Sequence, residues 1–412
     1  MKIHFVSKTV PVLLVLLLAF GCGKKSGDLS PHVDTDTGFS DSGSAVVPDK
    51  WWKALEDQEL GRLIEQSLNE NFDLKTTWQR LKQARAVADR EYSSLFPHLD
   101  AFTDAEISGR DSQVQESLQL GLSSEYEVDL WGKIRSRVQA EKYRVNATLN
   151  EYRTAALSLS AEVARTWYRL AGARKRLELV REQVRTNRKL VDLLQSRFNS
   201  GQARRSDVLR QKGLLESTLE QKQAIQSRIG ILEHQLAVLL GNSPQKEVEY
   251  AEANLPELPP LPDTGVPADL VSRRPDVRSA FNKLRAADSE LAAAISNQYP
   301  RITLTASLST TEDEVRDIFE NWARSFTGSL VAPLLDAGRR KAEVERTRAV
   351  RTQRLYEYGQ AILTSFQEVE DALLQEKKQL ERIESIREQL ELARKTHRQE
   401  RLEYYNGMAE YT

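Results

Sequence analysis

The sequence predicts a mainly α-helical chain with a β-barrel part, assembled from one supersecondary unit used twice. Three observations carry this prediction. The stretch 132–203 returns 206 positions later, at 338–409, without a gap. Within it Glu162, Val163, Arg176, Glu178, Arg181, Glu182, Gln183, Arg188, Lys189 and Gly201 face identical residues at Glu368, Val369, Arg382, Glu384, Arg387, Glu388, Gln389, Arg394, Lys395 and Gly407. Self-similarity at one long period marks a duplicated unit, not a single irregular core. Each copy also holds a pair of segments that alternate with period two and a much longer stretch with helical periodicity.

Composition narrows the class before any element is placed. The 412 residues are 29% charged and 40% hydrophobic with mean hydropathy -0.53, too polar for a chain of many membrane-spanning helices. Removing residues 1–21 takes away Lys2 and Lys8 and no acid, so the formal charge moves from -1 to -1 - 2 = -3. So small a net charge argues against nucleic acid as a partner. The histidines are His4, His32, His98, His234 and His397, and none stands at metal-ligand spacing from another or from the single cysteine. No Ser/His/Asp set, paired-carboxylate motif or phosphate-binding glycine loop rises above chance, which argues against an enzyme and against a resident cofactor.

The N-terminus reads as an address. Lys2 and Lys8 open it, an apolar run over 10–20 follows, and Leu18-Ala19-Phe20-Gly21-Cys22 closes it. The run is too short and wrongly flanked for a spanning helix, so 1–21 is a secretory signal. Cys22, the only cysteine, resembles the acylated first residue of a bacterial lipoprotein, although Ala19 stands where such signals usually carry Leu. The alternative is a buried thiol beside an ordinary cleavage site. Neither Gly23 nor Lys24 is the Asp that favours inner-membrane retention, which points to the outer membrane. Residues 22–50, rich in Ser, Asp and Gly, are expected to form a flexible acylated tether.

From Trp51 the pattern becomes helical, with Leu55, Leu60, Leu63, Ile64, Leu68, Leu74, Trp78, Leu81, Ala84 and Ala88 at spacings of three and four, until Pro97 ends it. Beyond Pro97, Leu99, Ala101, Thr103, Ala105 and Ile107 alternate with Asp100, Phe102, Asp104, Glu106 and Ser108. The polar run 109–116 reads as a loop, and Leu118 to Leu130 alternates again. After Pro300 the second copy repeats the device over 302–309, with 325–335 as the returning strand.

Hairpins with about ten residues per strand, apolar on one face and polar on the other, fit a transmembrane barrel. A sandwich hairpin with one wet face carries the same pattern. Four strands cannot close a barrel alone, since the smallest single-chain barrels use about eight, so the barrel reading requires several subunits.

Residues 133–198 contain no proline and only Gly172 as a weak point, which predicts a helix of roughly 100 Å. Leu177, Val180, Val184, Val191, Leu194 and Phe198, with Ile383, Ile386, Leu390 and Tyr404 in the second copy, recur on a seven-residue beat suited to coiled packing. Asn199-Ser200-Gly201 ends this helix and Ser206-Asp207 starts another that runs to Leu240, so two antiparallel helices meet at a tight tip. The units are then 51–254, a Pro-rich linker over 255–270, and 271–412.

Several ordered motifs carry a resemblance. Trp51-Trp52 with Asn71-Phe72-Asp73-Leu74, Tyr126-Glu127-Val128-Asp129-Leu130-Trp131-Gly132-Lys133, Arg273-Arg274-Pro275-Asp276-Val277-Arg278 and Pro333-Leu334-Leu335-Asp336-Ala337-Gly338-Arg339 look like signatures of the outer-membrane efflux protein family, in its lipoprotein branch. The tip, Arg197 to Gly201 followed by Ser206-Asp207-Val208-Leu209, is similar to the TolC-like helical turn, and the resemblance extends from about residue 51 to the end.

It implies a homotrimer with a shared twelve-stranded barrel in the outer membrane and a long coiled helical tunnel through the periplasm. The partners it implies are outer-membrane lipid, a periplasmic membrane-fusion adaptor and an inner-membrane pump of the RND type. The function it implies is a passive exit duct for small toxic compounds. Arg197, Gly201, Ser206 and Asp207 in the first copy, with Gly407, Ala409 and Thr412 in the second, would form the periplasmic tip. Tyr126, Trp131 and Trp322 fit either an interfacial aromatic girdle or burial against neighbouring strands.

The last residue, Thr412, is the counterpart of Ser206, so the second copy is expected to lack the helix that follows the first tip. Other readings of the same residues are a type I secretion or heavy-metal efflux duct, or a periplasmic coiled-coil lipoprotein without a pore.

Overall fold

A computed structural model describes residues 31, 33, 38–45, 48, 50–110, 113–245, 255–256, 259–264, 273–313 and 317–405. It is mainly helical with one small antiparallel sheet. A 3-10 turn at Trp51–Leu55 leads into α1 (Gln58–Glu70), whose buried Leu60, Leu63, Ile64 and Ser67 fall on one stripe by their spacing of three and four. Asp57 caps α1, its carboxylate accepting the Leu60 amide at 2.9 Å. The helical arm is not continuous: Asn71 takes an extended backbone, ends α1 and caps α2 (Phe72–Ser93) by accepting the Leu74 amide at 3.0 Å. An Asn is neutral to unfavourable inside a helix and favoured at its start, so the break falls there.

Beyond the arm come β1 (His98–Arg110) and β2 (Gln113–Val128), then α3 (Lys133–Asn199), α4 (Arg205–Leu239), α5 (Pro275–Ser296), β3 (Arg301–Glu312), β4 (Ala323–Val331) and α6 (Arg339–Tyr405). The order of helix, hairpin and long helix thus occurs twice. Its helices match in length: 22 residues in α2 and α5, and 67 in α3 and α6. Both long helices start after a glycine in the left-handed region, Gly132 at φ 77° and Gly338 at φ 84°. In each case an aspartate upstream, Asp129 or Asp336, accepts free amides of the first turn. Among the described residues no helix is long and apolar enough to cross a membrane.

The four strands form one antiparallel sheet in the order β1-β2-β3-β4. Its register places Ala101, Leu122 and Leu308 in one row, with Arg324 of β4 at its end, and Leu99, Ser124, Ala306 and Phe326 in the next. All four apolar sets therefore share one face, which a slip of one residue in any pairing would undo.

Two sequence expectations need correction here. The polar run 109–116 is mostly strand, because β1 continues to Arg110 and pairs it with Gln113. Backbone pairing there continues beyond the reach of apolar alternation, the only signal the sequence offered. The returning strand starts earlier and ends sooner than 325–335, at Ala323 and Val331. Pro333 lacks an amide hydrogen and restricts the residue before it, so the ladder stops short of it.

The main core cluster lies in the first half of the chain. Trp52, Leu60, Leu63 and Ile64 pack with Val163, Trp167 and Leu170 of α3 and with Leu232, Leu236 and Leu240 at the end of α4. Ser67 and Asn71 both donate to the Leu239 carbonyl, at 2.8 and 3.1 Å, fixing that end of α4 on the arm.

The tether expectation for 22–50 also changes where it can be seen, since residues 38–45 lie docked along the second half. Phe39 meets Phe366 edge-to-face at 6.1 Å, and the Ser40 amide donates to Glu370 at 2.9 Å. Gly43 and Ala45 pair with the Pro-rich linker at Pro262 and Leu261, at 3.0 and 3.4 Å. Low hydrophobicity predicts disorder only for a chain left alone, and here helix and linker supply partners for the backbone.

Candidate functional site

Two regions hold the residues singled out from the sequence: the tip between α3 and α4, and the sheet with its junctions. At the tip, α3 ends with Gly201 at φ 74°, a left-handed conformation that glycine adopts at no steric cost. This lets the Gln202 amide donate to the Arg197 carbonyl at 2.8 Å, a wrap that satisfies an otherwise free helix-end acceptor. The Ser200 hydroxyl donates to the same carbonyl at 3.0 Å.

The helix after the turn starts earlier than Ser206-Asp207 suggests. Arg204 is the cap, Ser206 sits exposed in the first turn, and Asp207 is the third helical residue. The Asp207 carboxylate reaches back to accept the Arg204 amide at 3.3 Å, so it caps from inside the helix and not as the N-cap itself. Phe198 and Leu209 remain exposed beside this turn while Val208 is buried. The tip therefore presents a capped corner with two exposed apolar residues. Cys22, Gly407, Ala409 and Thr412 lie outside the described residues.

The three aromatics do not gather at one level. Tyr126 sits on the apolar face of β2 opposite Leu304, near the end of the sheet that joins the helices. Trp131 is at the same end, in the β2–α3 junction. Its indole donates to the Pro300 carbonyl at 2.7 Å and stacks on Tyr299 at 4.9 Å, while the Ser296 hydroxyl donates to the Trp131 carbonyl at 2.9 Å. Trp131 thereby ties the first hairpin's exit to the second hairpin's entrance. Trp322 lies at the opposite end, just before β4, and stays partly exposed.

The face opposite the apolar one is mostly polar, interrupted by Phe102 beside Gly121. It carries Asp100, Asp104 and Glu106 from β1 and Glu125 and Glu127 from β2, then Thr303, Thr305, Ser307 and Ser309 from β3 with Ser325, Thr327 and Ser329 from β4. Ser307 and Ser325 share a hydrogen bond of 2.7 Å across the last pair of strands. Among the described residues no group of His, Cys, Asp and Glu is placed to hold a metal ion. The sheet is thus two-faced, one side mostly apolar and the other mostly polar.

These features agree with comparison to known proteins. A family model described as outer membrane efflux protein matches residues 63–242 and 266–412. The chain belongs to the outer membrane efflux protein family. Outer membrane protein OprJ of Pseudomonas aeruginosa is 30% identical over 344 residues, 80% of this chain and 72% of that one. Pyoverdine export outer membrane protein OpmQ of Pseudomonas aeruginosa is 28% identical over 384 residues, 89% of this chain and 81% of that one. The solved structure of the outer-membrane channel OprN superposes with a TM-score of 0.84 at 27% identity, covering 92% of this chain and 90% of that one. The protein is thus an outer-membrane channel component of an efflux system, and TolC-like channels share its fold.

Two polar constellations escaped the sequence reading as physical devices. Asp57, beyond capping α1, accepts the Trp167 indole at 2.8 Å and the Tyr168 hydroxyl at 3.4 Å from α3. Burial first, and then the Asp57 charge, push the Tyr168 phenol well above its ordinary range, so it stays a neutral donor. Arg274, in a motif quoted above only as a signature, clamps the start of α5. It grips Asp276 with two nitrogens at 2.6 and 3.0 Å and reaches Glu368 of α6 at 2.5 Å. Burial opposes ionisation of Asp276, but the hydrogen bond and charge of Arg274 outweigh it and hold the carboxyl below its usual value. Sequence spacing alone could have suggested the contact within Arg274-Pro275-Asp276, but not Glu368, which lies 94 positions away.

Proposed function

We propose that three copies of this chain close their sheets into one twelve-stranded barrel in the outer membrane, continued inward by their long helices as a tunnel. The duct is passive and carries small toxic compounds outward. The observation that carries this reading is the sheet itself. It is four strands wide, open at β1 and at β4, and its register gathers the apolar residues on one face. Unpaired edges with an outward apolar face have no stable place in either water or lipid unless another copy pairs with them. Leu99, Ile107, Phe326 and Leu330 are exposed on that face, as expected of residues that meet acyl chains.

The helices ask for neighbours in the same way. Leu374, Leu380, Ile383, Ile386 and Leu390 of α6 are exposed, an apolar seam that helices of an adjacent copy would cover. The two matched runs of helix, hairpin and long helix then act as an internal repeat, six units around the trimer axis. The units are 51–254 and 271–412, joined by the linker 255–270. Tyr126 and Trp131 would sit near one membrane surface and Trp322 near the other.

At the far end the turns at Gly201 and Gly407, with Arg197, Ser206, Asp207, Ala409 and Thr412, would form the docking rim for a periplasmic adaptor linked to an RND-type pump. Acylated Cys22, following a signal over 1–21 and a tether over 22–50, would add a lipid anchor. Relatives named for export of pyoverdine and for efflux of toluene support small molecules as the cargo over protein secretion or heavy metals.

Reconstituting the purified chain tests the reading. A trimer band that collapses to monomer on heating, together with stepwise conductance in a planar bilayer, is the expected result. A chain that stays monomeric in detergent and never conducts overturns it, and leaves the scaffold reading.

A further inference from the structure

Residues 31, 33 and 38–45 form a strap that touches α6 at three successive levels. Pro31 and Val33 lie against Gly359, Phe39 meets Phe366, and Ser40 holds Glu370, with its amide on one carboxylate oxygen at 2.9 Å and its hydroxyl on the other. Beyond Ser40 the strap leaves α6 for the linker. The Gly43 amide donates to Pro262 at 3.0 Å, the Asp263 amide to Ala45 at 2.9 Å, and the Thr264 hydroxyl to Asp41 at 3.2 Å. Resting on the reading of Cys22 as an acylated anchor, we infer that the strap is a stay: it carries the pull of the anchor to α6 and the linker, and so resists movement of the helices away from the membrane.

The strap is seated closely at both ends. Gly359 lies inside α6, where glycine is unfavourable relative to alanine, so its presence there asks for a packing reason. A methyl group on it would stand 3.2 Å from Pro31 Cβ, closer than ordinary van der Waals contact. At Gly43 the same group would stand 1.7 Å from the Leu261 carbonyl oxygen, so no side chain fits. One glycine on the helix and one on the strap thus make room for the joint.

The order of contacts gives the strap a direction. As the chain runs from Pro31 to Ser40 its partners run from Gly359 to Glu370, away from the sheet, so the end nearer Cys22 points toward the sheet. Gly359 is 20 residues from Arg339, where α6 starts beside the sheet, a distance of about 30 Å. Leu334 and Leu335, just before that start, are exposed and mark the level that lipid reaches on the barrel reading. Cys22 stands nine residues before Pro31, and nine residues span at most about 30–32 Å. A relaxed coil of that length spans only about 15–18 Å. The distance to be covered is the longest this stretch can reach, so anchoring and docking together leave no slack. A chain held beyond its relaxed length loses conformational entropy and pulls on both ends.

The test is hydrogen exchange, read by mass spectrometry, on the acylated protein in lipid nanodiscs. The amides of Ser40, Gly43 and Asp263 are bonded through the seated strap, so their exchange reports its release. Deleting Lys25, Ser26, Gly27 and Asp28 shortens the reach below the distance required and should speed that exchange about tenfold or more. Inserting about ten Gly and Ser residues after Asp28 removes the pull and should slow exchange below the wild-type rate. A form secreted with an ordinary cleavable signal and carrying Cys22→Ala has no acyl chain, and in it the deletion should leave exchange unchanged.

Equal exchange in the wild type, the deletion and the insertion overturns the inference while leaving the anchor intact. So does a wild type whose strap amides exchange as fast as those of a free chain. Should the deletion prevent acylation, the insertion alone carries the test, and exchange that it fails to slow overturns the inference. A mature protein whose mass shows no acyl chain on Cys22 overturns the anchor reading, and this inference with it.

Discussion

The two halves of the chain run through the same elements in the same order yet are fastened by different means. In the first, α2 begins at a neutral Asn71 and the arm packs into an apolar cluster around Trp167, Leu170 and Leu236. In the second, α5 begins at Arg274, and charged pairs do much of the joining. Arg274 grips Asp276 and Glu368, and Arg351 of α6 meets Asp288 of α5 at 3.0 Å with both side chains mostly covered. The difference extends to the long helices. Leu177, Val180 and Val184 of α3 are buried, whereas 374–400 of α6 is exposed throughout. The apolar cluster of the first half is hardly touched by salt or acid, whereas the ion pairs that join the buried Val277, Leu284 and Ile362 in fastening the second half can be weakened by both.

The largest effect expected from breaking this contrast is in the apolar half. Trp167→Ala would empty the centre of the cluster and leave Asp57 without its indole donor, costing about 3–5 kcal/mol. Chemical denaturation of the purified protein checks it, and a loss under about 1 kcal/mol would mean the cluster is not the main fastening. Asp57→Ala should cost about 1–3 kcal/mol, by removing a helix cap and the carboxylate that accepts from the Trp167 indole. Neither loss should depend much on salt.

The charged half should respond less strongly and in a different way. Arg274→Gln removes a clamp whose members are partly exposed, so about 1 kcal/mol is expected, shrinking as salt rises. The acid response has a definite sign. The Asp276 carboxyl is held below its ordinary value in the folded chain, so its contribution is present above the unfolded pKa of about 4 and is lost as pH falls through the folded one. Unfolding below about pH 4 should therefore depend less steeply on pH in Asp276→Asn than in the wild type. Equal slopes in the two proteins would show that the clamp does not couple folding to protonation.

The contrast also explains how much was legible in the sequence. Strand alternation, the proline-free runs and the glycine turn are local signals, and each placed its element within a few residues: the long helix expected over 133–198 runs from Lys133 to Asn199. Loop ends were misjudged where polar residues continue a ladder, at Arg110 and Gln113, because backbone pairing needs no apolar side chain. Asp57 with Trp167, Arg274 with Glu368 and Ser40 with Glu370 join positions roughly a hundred or more apart, and periodicity carries no information at that range. The partition of carboxylates and hydroxyls between hairpins could be read from the residues, but which strands stand side by side was known only from the register.

The tip offers the smallest effects and the sharpest distinction between stability and gating. Replacing Gly201 by Val forces a β-branched residue into a left-handed conformation, at roughly 1–2 kcal/mol, confined to the corner between α3 and α4. Asp207→Ala removes one half of a reciprocal cap, a carboxylate accepting a single exposed amide at 3.3 Å, so about 0.5 kcal/mol is expected. That is too little to unfold the helix pair. A change in resting conductance in Asp207→Ala would therefore report on the docking rim and not on collapse of the tip. Unchanged conductance, with helix content also unchanged, would reduce Asp207 to a helix cap and remove it from any account of opening.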